Sequence, residues 1–249
     1  PFFSDKFAKI GIQTNELFSE EILEERIAKL VEIKNSLLKT LYGKPLLDRE
    51  ELLAELRRER ELIRPYLSDC SRFLRKALRE GKTVLLEGQL GTMKDPDHGI
   101  YPMVTSSSTL AAYGAVGAGI PPYEIRDIIA VTKAYTTRVG EGPLPTEDLT
   151  EAGETLRRNG GEFGATTGRP RRCGWLDLVG LKYSMSLNGA DTIALTKLDV
   201  LTGIGPIKVC VAYEYEGERL DRFPVSTRVL EAVKPIYETL PGWSDDIAR

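Results

Sequence analysis

The chain has 249 residues, 41% of them hydrophobic and 29% charged, with a formal net charge of -3. That length allows one large α/β domain or two small ones and buries about three-quarters of the unfolded surface; the near-balanced charge argues against a general nucleic-acid-binding surface, and no apolar run approaches the roughly 20 residues of a membrane span. Three cysteines, Cys70, Cys173 and Cys210, include no Cys-x-x-Cys pair, which points away from a disulfide framework or structural zinc and toward a soluble protein of a reducing, cytoplasmic compartment.

The chain opens Pro1-Phe-Phe-Ser4 with neither an initiator Met nor a signal-peptide pattern, as expected of a processed start or of the interior of a longer chain. From Ser19 to Leu41 the apolar residues Leu23, Ile27, Leu30, Val31, Leu37, Leu38 and Leu41 follow helical spacing, broken once at Lys34, and predict an amphipathic helix. A second helix is expected from Asp48, with Glu51 placed for a capping box, until Pro65 interrupts it; a third stretch reaches Leu78 and stops at Gly81. Thr83–Leu86 reads as a short strand, followed by glycines at 88 and 91, the strand-then-turn grammar of α/β folds. Further strands are expected at Asp127–Val131, Thr192–Leu195 and Ile207–Tyr215, with helices around 107–118, 146–158 and 174–187 between them. With no repeat and no Pro/Gly/Ser-rich linker, residues 1–249 read as a single domain: a helical excursion over 19–81, then an α/β part with ligand loops over 83–249.

The richest segment for chemistry is Glu162-Phe-Gly-Ala-Thr-Thr-Gly-Arg-Pro-Arg-Arg-Cys-Gly-Trp175. Arg169, Arg171 and Arg172 offer planar forks of donors suited to carboxylate or phosphate, and Gly164 and Gly168 allow close backbone approach. A solvated basic loop is the bland alternative. Thr196-Lys197-Leu198-Asp199 follows an apolar strand, where an aspartate can accept from both N1–H and the exocyclic amine of guanine while Lys197 lays its stem along the base; a surface pair closing the strand is the alternative. Gly81-Lys82-Thr83 imitates the end of a phosphate-binding loop but lacks the earlier glycine and precedes a strand, so Gly81 reads as a helix cap and Lys82 as a solvated residue. His98, the only histidine, lies beside Asp97 with no nucleophile elbow, which leaves no hydrolase triad. The hydroxyls of Thr105 to Ser108 precede an Ala-rich helix and suit capping or phosphate binding.

Glu87–Pro102, Val104–Ser107, Lys133–Gly140, Gly164–Arg169, Gly174-Trp175, Thr196–Val200 and Pro235–Thr239, in this order and spacing, resemble the adenylosuccinate synthetase family over essentially the whole chain. The resemblance implies an α/β fold with a mainly parallel central sheet flanked by helices, of the P-loop NTPase type, and a helical subdomain near the start. It implies the GTP-dependent ligation of L-aspartate to inosine monophosphate (IMP), giving adenylosuccinate, GDP and phosphate, with Mg2+ as cofactor, in a cytoplasmic homodimer that needs neither nucleic acid nor membrane. It places Lys9, Gln89, Leu90, Thr105, Val139 and Arg169 at IMP. Aspartate is assigned to Ala165, Thr166, Thr167, Gly168, Arg169, Pro170 and Arg171, on a loop that closes over it, and GTP to Arg171, Lys197, Leu198 and Asp199.

Two departures stand out. Lys9 occupies the place of a family arginine that reaches the partner's IMP, keeping the charge without the bidentate fork. Leu90 occupies the place of a glutamine ligand, with Gln89 just before it, so either Leu90 offers only backbone or the turn is rearranged. The family's phosphate loop, its aspartate base, its histidine acid and the metal ligands are expected N-terminal to this chain, which leaves no catalytic or metal residue assigned within it. The last guanine-contacting segment is expected beyond Arg249. A catalytically silent nucleotide-binding or dimerisation fragment is the alternative, and a GTPase-like switch module a weaker third reading.

Overall fold

The computed structural model describes residues 2–247. These form two compact units that meet in sequence at Lys82 and Thr83, where the helical periodicity gives way to the α/β pattern.

The first unit is helical. A short helix α1 (Phe2–Phe7) precedes α2 (Glu20–Leu37), α3 (Arg49–Ile63) and α4 (Cys70–Arg79). Leu23 and Ile27 from α2 and Leu53 from α3 are fully buried against Ile12, Leu17, Val31, Leu52 and Leu56. The apolar stripe predicted through Leu41 is buried only in its first half, for α2 ends at Leu37 and the chain widens into a π-type turn over Leu38–Tyr42. Lys34, the break in that stripe, donates to Asp5 Oδ1 at 2.6 Å, so a charged residue closes α2 onto α1. Asp48 caps α3 by accepting from the Glu51 N–H at 2.8 Å, which leaves fewer first-turn N–H groups unpaired. Gly81 takes a left-handed φ of 74° after α4, and Lys82 is exposed, as expected of a cap and a solvated neighbour.

The second unit is α/β. Strand β1 (Ile129–Lys133) pairs in parallel with β4 (Thr192–Thr196), Lys133 opposite Thr196. A five-stranded sheet runs β2 (Tyr135–Arg138), β3 (Arg172–Asp177), β5 (Ile207–Tyr215) and β6 (Glu218–Leu220), with β7 (Lys234–Leu240) on the other edge of β5. β3 and β5 run parallel and the remaining pairs antiparallel. The helices are α5 (Ala112–Ala118), α6 (Glu151–Gly160), α7 (Leu178–Asn188) and α8 (Thr227–Ala232). One core gathers Tyr135, Leu156, Cys173, Trp175, Val200, Leu201 and Ile207; another gathers Ile100, Val179, Cys210, Tyr213, Leu230 and Val233.

Several expectations change here. Thr83–Leu86 carries no strand pairing among the described residues, and Leu85 is 89% exposed; an apolar run becomes a strand only where a neighbour accepts its backbone bonds. The helix expected from 174 begins at Leu178, because residues 172–177 pair with β2 on one side and β5 on the other. Asp177 then caps α7, accepting from the N–H groups of Val179 and Gly180 at 3.0 and 3.1 Å. Gly174, inside β3, lies so close to the Thr146 carbonyl and Glu147 backbone that a Cβ would collide with both, which accounts for a glycine in a strand interior. The helix expected over 146–158 starts at Glu151, since Thr146 is buried with its carbonyl accepting from Trp175 N–H. α5 starts at Ala112, beyond the hydroxyls of residues 105–108, and none of them caps it: the Ser108 hydroxyl donates to the buried Asp95 at 2.7 Å instead.

Candidate functional site

The segment from Glu162 to Arg171 forms a tight hairpin between α6 and β3. Phe163 bridges Pro170, Gly164 N–H donates to Arg169 O at 2.9 Å, and Gly168 N–H donates to Gly164 O at 2.8 Å. Gly168 has φ 64°, a backbone conformation that glycine adopts without a Cβ penalty. Ala165, Thr166, Thr167, Gly168, Arg169 and Pro170 are all exposed at the tip. The Arg169 guanidinium makes no hydrogen bond or ion pair among the described residues. Arg172 behaves differently: its guanidinium binds Glu147 with both Nε and Nη2, so this third arginine is a β3 residue whose charge is already paired.

At the base of the hairpin stands Glu162, wholly buried. Its Oε1 accepts from Lys133 Nζ at 2.7 Å and from the Tyr135 hydroxyl at 2.5 Å, and lies 3.5 Å from Lys197 Nζ; its Oε2 accepts from Arg171 Nη1 at 2.8 Å. Burial alone would raise its pKa, but the hydrogen bonds from Lys133 and Tyr135, the Lys133 charge and the Arg171 hydrogen bond together hold it down at about 2. Burial, and then the hydrogen bond to Glu162 Oε1 and the Glu162 charge, push the Tyr135 phenol well above its usual value. Because the folded pKa of Glu162 is depressed, its contribution is present above the ordinary carboxyl pKa and lost as pH falls through the folded value. A depression of this size is worth about 3 kcal/mol. Denaturant titrations from pH 6 downward should therefore show stability falling between about pH 4.5 and 2, and Glu162→Gln should flatten that fall; an unchanged slope in the variant would place the acid sensitivity elsewhere.

Both parallel strands of the β1–β4 pair end at this place, as open α/β sheets gather ligands at the carboxyl ends of strands. Lys133 closes β1, and Lys197 follows β4 with a left-handed φ of 60°. The Lys197 ammonium donates to Gly160 O at 2.5 Å, at the carboxyl end of α6, where a cation is favoured. Its charge is thus engaged by the hairpin base. Leu198 and Asp199 are exposed, and the Asp199 carboxylate has no hydrogen-bond partner among the described residues.

Thr105 and Val139 come together through Lys94. Thr105 N–H donates to Lys94 O at 2.8 Å, while Lys94 Nζ donates to Met103 O at 3.3 Å and Val139 O at 3.4 Å. Burial, and then the neighbouring Arg138 charge, lower the pKa of the Lys94 amine. Gln89 and Leu90 are exposed one turn earlier; Leu90 has φ 70° and is followed by Gly91 at φ 86°. Lys9 is exposed in the first unit with φ 62°. His98 uses its backbone: its N–H donates to Asp95 Oδ1 at 3.1 Å and its carbonyl accepts from Tyr183. Glu162 and Lys94 escaped the residue-by-residue reading; a glutamate placed directly before an arginine-rich loop was the available signal for the first, and none marked the second.

The α/β unit thus carries a basic hairpin and a Lys-x-Asp turn at its strand ends, donor and acceptor sets of the kind that suit anionic and hydrogen-bonding ligands. Comparison with known proteins narrows this. The family model for adenylosuccinate synthetase matches residues 1–249, and the chain belongs to that family. It is similar to "Adenylosuccinate synthetase" of Carboxydothermus hydrogenoformans, 49% identical over 247 residues, and of Bifidobacterium longum (strain DJO10A), 48% identical over 248 residues. These alignments cover 99% and 100% of this chain but 58% of each relative, so the chain spans little more than half their length. The solved "Structure of fully ligated Adenylosuccinate synthetase from Plasmodium falciparum" superposes with a TM-score of 0.91 at 38% identity, over 99% of this chain and 58% of that one.

Proposed function

We propose that this chain forms the aspartate-, IMP- and guanine-recognising part of an enzyme that ligates L-aspartate to IMP at the expense of GTP, a step of AMP biosynthesis. The observation that carries the reading is the hairpin at the strand ends: a free, exposed Arg169 beside an Arg171 anchored by one edge, with the unpartnered Asp199 carboxylate at the end of β4. In such a reaction GTP phosphorylates O6 of IMP and the aspartate amine then displaces phosphate, so positioning and charge stabilisation supply most of the rate. Ala165 to Arg171 hold aspartate, Arg169 also reaches the IMP ribose, and Arg171 also contacts GTP. Thr105 holds the IMP phosphate and Val139 its sugar, with Gln89 and the Leu90 backbone beside them; Lys197, Leu198 and Asp199 read guanine. The exposed side chain and left-handed backbone of Leu90 favour the backbone reading at that position.

Magnesium, when bound, would neutralise charge on the GTP phosphates during transfer, and no residue of this chain is assigned to hold it. No group of three or more His, Cys, Asp or Glu able to hold a metal is found among the described residues. Lys9 is assigned to the partner's IMP in a homodimer, and the compartment is cytoplasmic. Among the described residues no helix is long and apolar enough to cross a membrane.

The test is formation of adenylosuccinate, GDP and phosphate by the full-length protein from IMP, aspartate and GTP. Nucleotide binding without turnover would favour a silent binding fragment instead. Within the active protein, Asp199→Asn should weaken the preference for GTP over other nucleoside triphosphates, because an amide presents a donor where guanine also offers one. An unchanged preference in competition assays would remove Asp199 from the guanine site.

A further inference from the structure

We infer that Glu162 is a positioning residue that sets the substrate-facing edge of Arg171 and the guanine-reading turn at Lys197 together. The inference rests on the ligase reading above.

A carboxylate with no exposure is costly unless it is paired and hydrogen-bonded. Glu162 meets that condition through four groups from three stretches of chain: hydrogen bonds from Lys133 and Tyr135, two residues apart where β1 passes into β2, a hydrogen bond from Arg171 at the end of the hairpin, and the Lys197 ammonium after β4 at 3.5 Å. Two of the four belong to residues assigned to ligands, one for aspartate and one for guanine.

The geometry at Arg171 gives the contact a direction. Glu162 takes Nη1 at 2.8 Å, and the Arg171 backbone N–H donates to Glu162 O at 2.9 Å, so side chain and backbone are both tied to the same residue. The Arg171 Nε atom is buried and has no partner, and Nη2 makes no hydrogen bond among the described residues. A buried donor without a partner carries a desolvation penalty that a ligand can relieve. The Nε–Nη2 edge is one that a carboxylate or phosphate takes bidentately. Glu162 therefore occupies one edge of the guanidinium and leaves the other for an anionic ligand. At Lys197 the same carboxylate, with Gly160 O, draws the ammonium toward the hairpin base, which sets the backbone that carries Asp199 two residues on.

Glu162→Gln in the full-length protein keeps the shape and removes the charge. Loss of a charge-assisted hydrogen bond predicts a rise of about tenfold or more in KM for aspartate, a several-fold rise for GTP, and KM for IMP within about twofold, since Thr105 and Val139 are tied to Lys94 and not to Glu162. In an Arg171→Leu background the same change should add little to the aspartate effect, because the two residues act as one unit. Leu156→Ala, a core lesion in the same unit, should lower the melting temperature without that split between substrates. Should Glu162→Gln fail to fold, Glu162→Asp, which keeps the charge but retracts it by one methylene, should show the same split. An active wild-type protein whose Glu162 variant keeps all three KM values, or raises them equally, overturns the inference alone; a wild type without ligase activity overturns the reading beneath it and the inference together.

Discussion

Arg171→Leu in the full-length protein should raise KM for aspartate by roughly 30-fold or more, and Arg169→Leu should raise KM for both aspartate and IMP. Truncating one side of a charge-assisted pair costs about 2–5 kcal/mol when the ligand's carboxylate is left unpaired. The two variants separate by a second measurement. Arg169 lies exposed on the hairpin tip with no partner for its guanidinium among the described residues, so its loss should leave the melting temperature unchanged. Arg171 is bonded to the buried Glu162, and its loss leaves that carboxylate with one cation fewer, so stability should fall as well. If Arg171→Leu bound aspartate normally and lost only nucleotide affinity, the hairpin would be a phosphate clamp, and the aspartate assignment would fail.

Leu156→Ala should lower stability by about 2–5 kcal/mol, the range for deleting most of a buried leucine side chain. Leu156 has no exposure and packs in the core that also holds Tyr135, Cys173 and Trp175. For a protein of this size each kcal/mol shifts the melting temperature by about 2–4 °C, so a drop of roughly 4–20 °C is expected by calorimetry. A smaller change would mean that α6 can collapse into the space, and the hairpin base above it would then be less firmly seated than its hydrogen bonds suggest.

The elements whose signals are local came through from the sequence. The helices from Ser19 and Asp48 have 3.6-residue periodicity and both are found, the second capped by the Asp48 side chain and the first without a capping bond from Ser19; Gly81 ends α4 as its conformational freedom predicts. Ile207–Tyr215 is a strand over the residues expected. The strands that went unrecognised are those made by their neighbours. β3 carries Arg172, Gly174 and Asp177, none of which favours a strand by propensity, yet it pairs on both edges, which illustrates how tertiary context overrides weak local preference. Thr83–Leu86 has the propensity without a pairing partner and makes no strand.

The site divides along the same line. Residue types and their spacing sufficed to pick out Arg169, Arg171, Lys197 and Asp199 as donors and acceptors suited to a carboxylate and to guanine, because the chemistry of a guanidinium fork or an aspartate is a property of the residue itself. Which arginines remain available is not. Arg172 is committed to Glu147 and one edge of Arg171 to Glu162, while Arg169 is free, and those commitments follow from burial and from contacts between residues up to 25 apart in the chain. Sequence alone determined that this chain carries a basic, glycine-hinged segment and a Lys-x-Asp turn. The tertiary structure decided that one buried carboxylate joins them, since only folding takes Glu162 out of water and makes its pairing with Lys133, Tyr135, Lys197 and Arg171 obligatory.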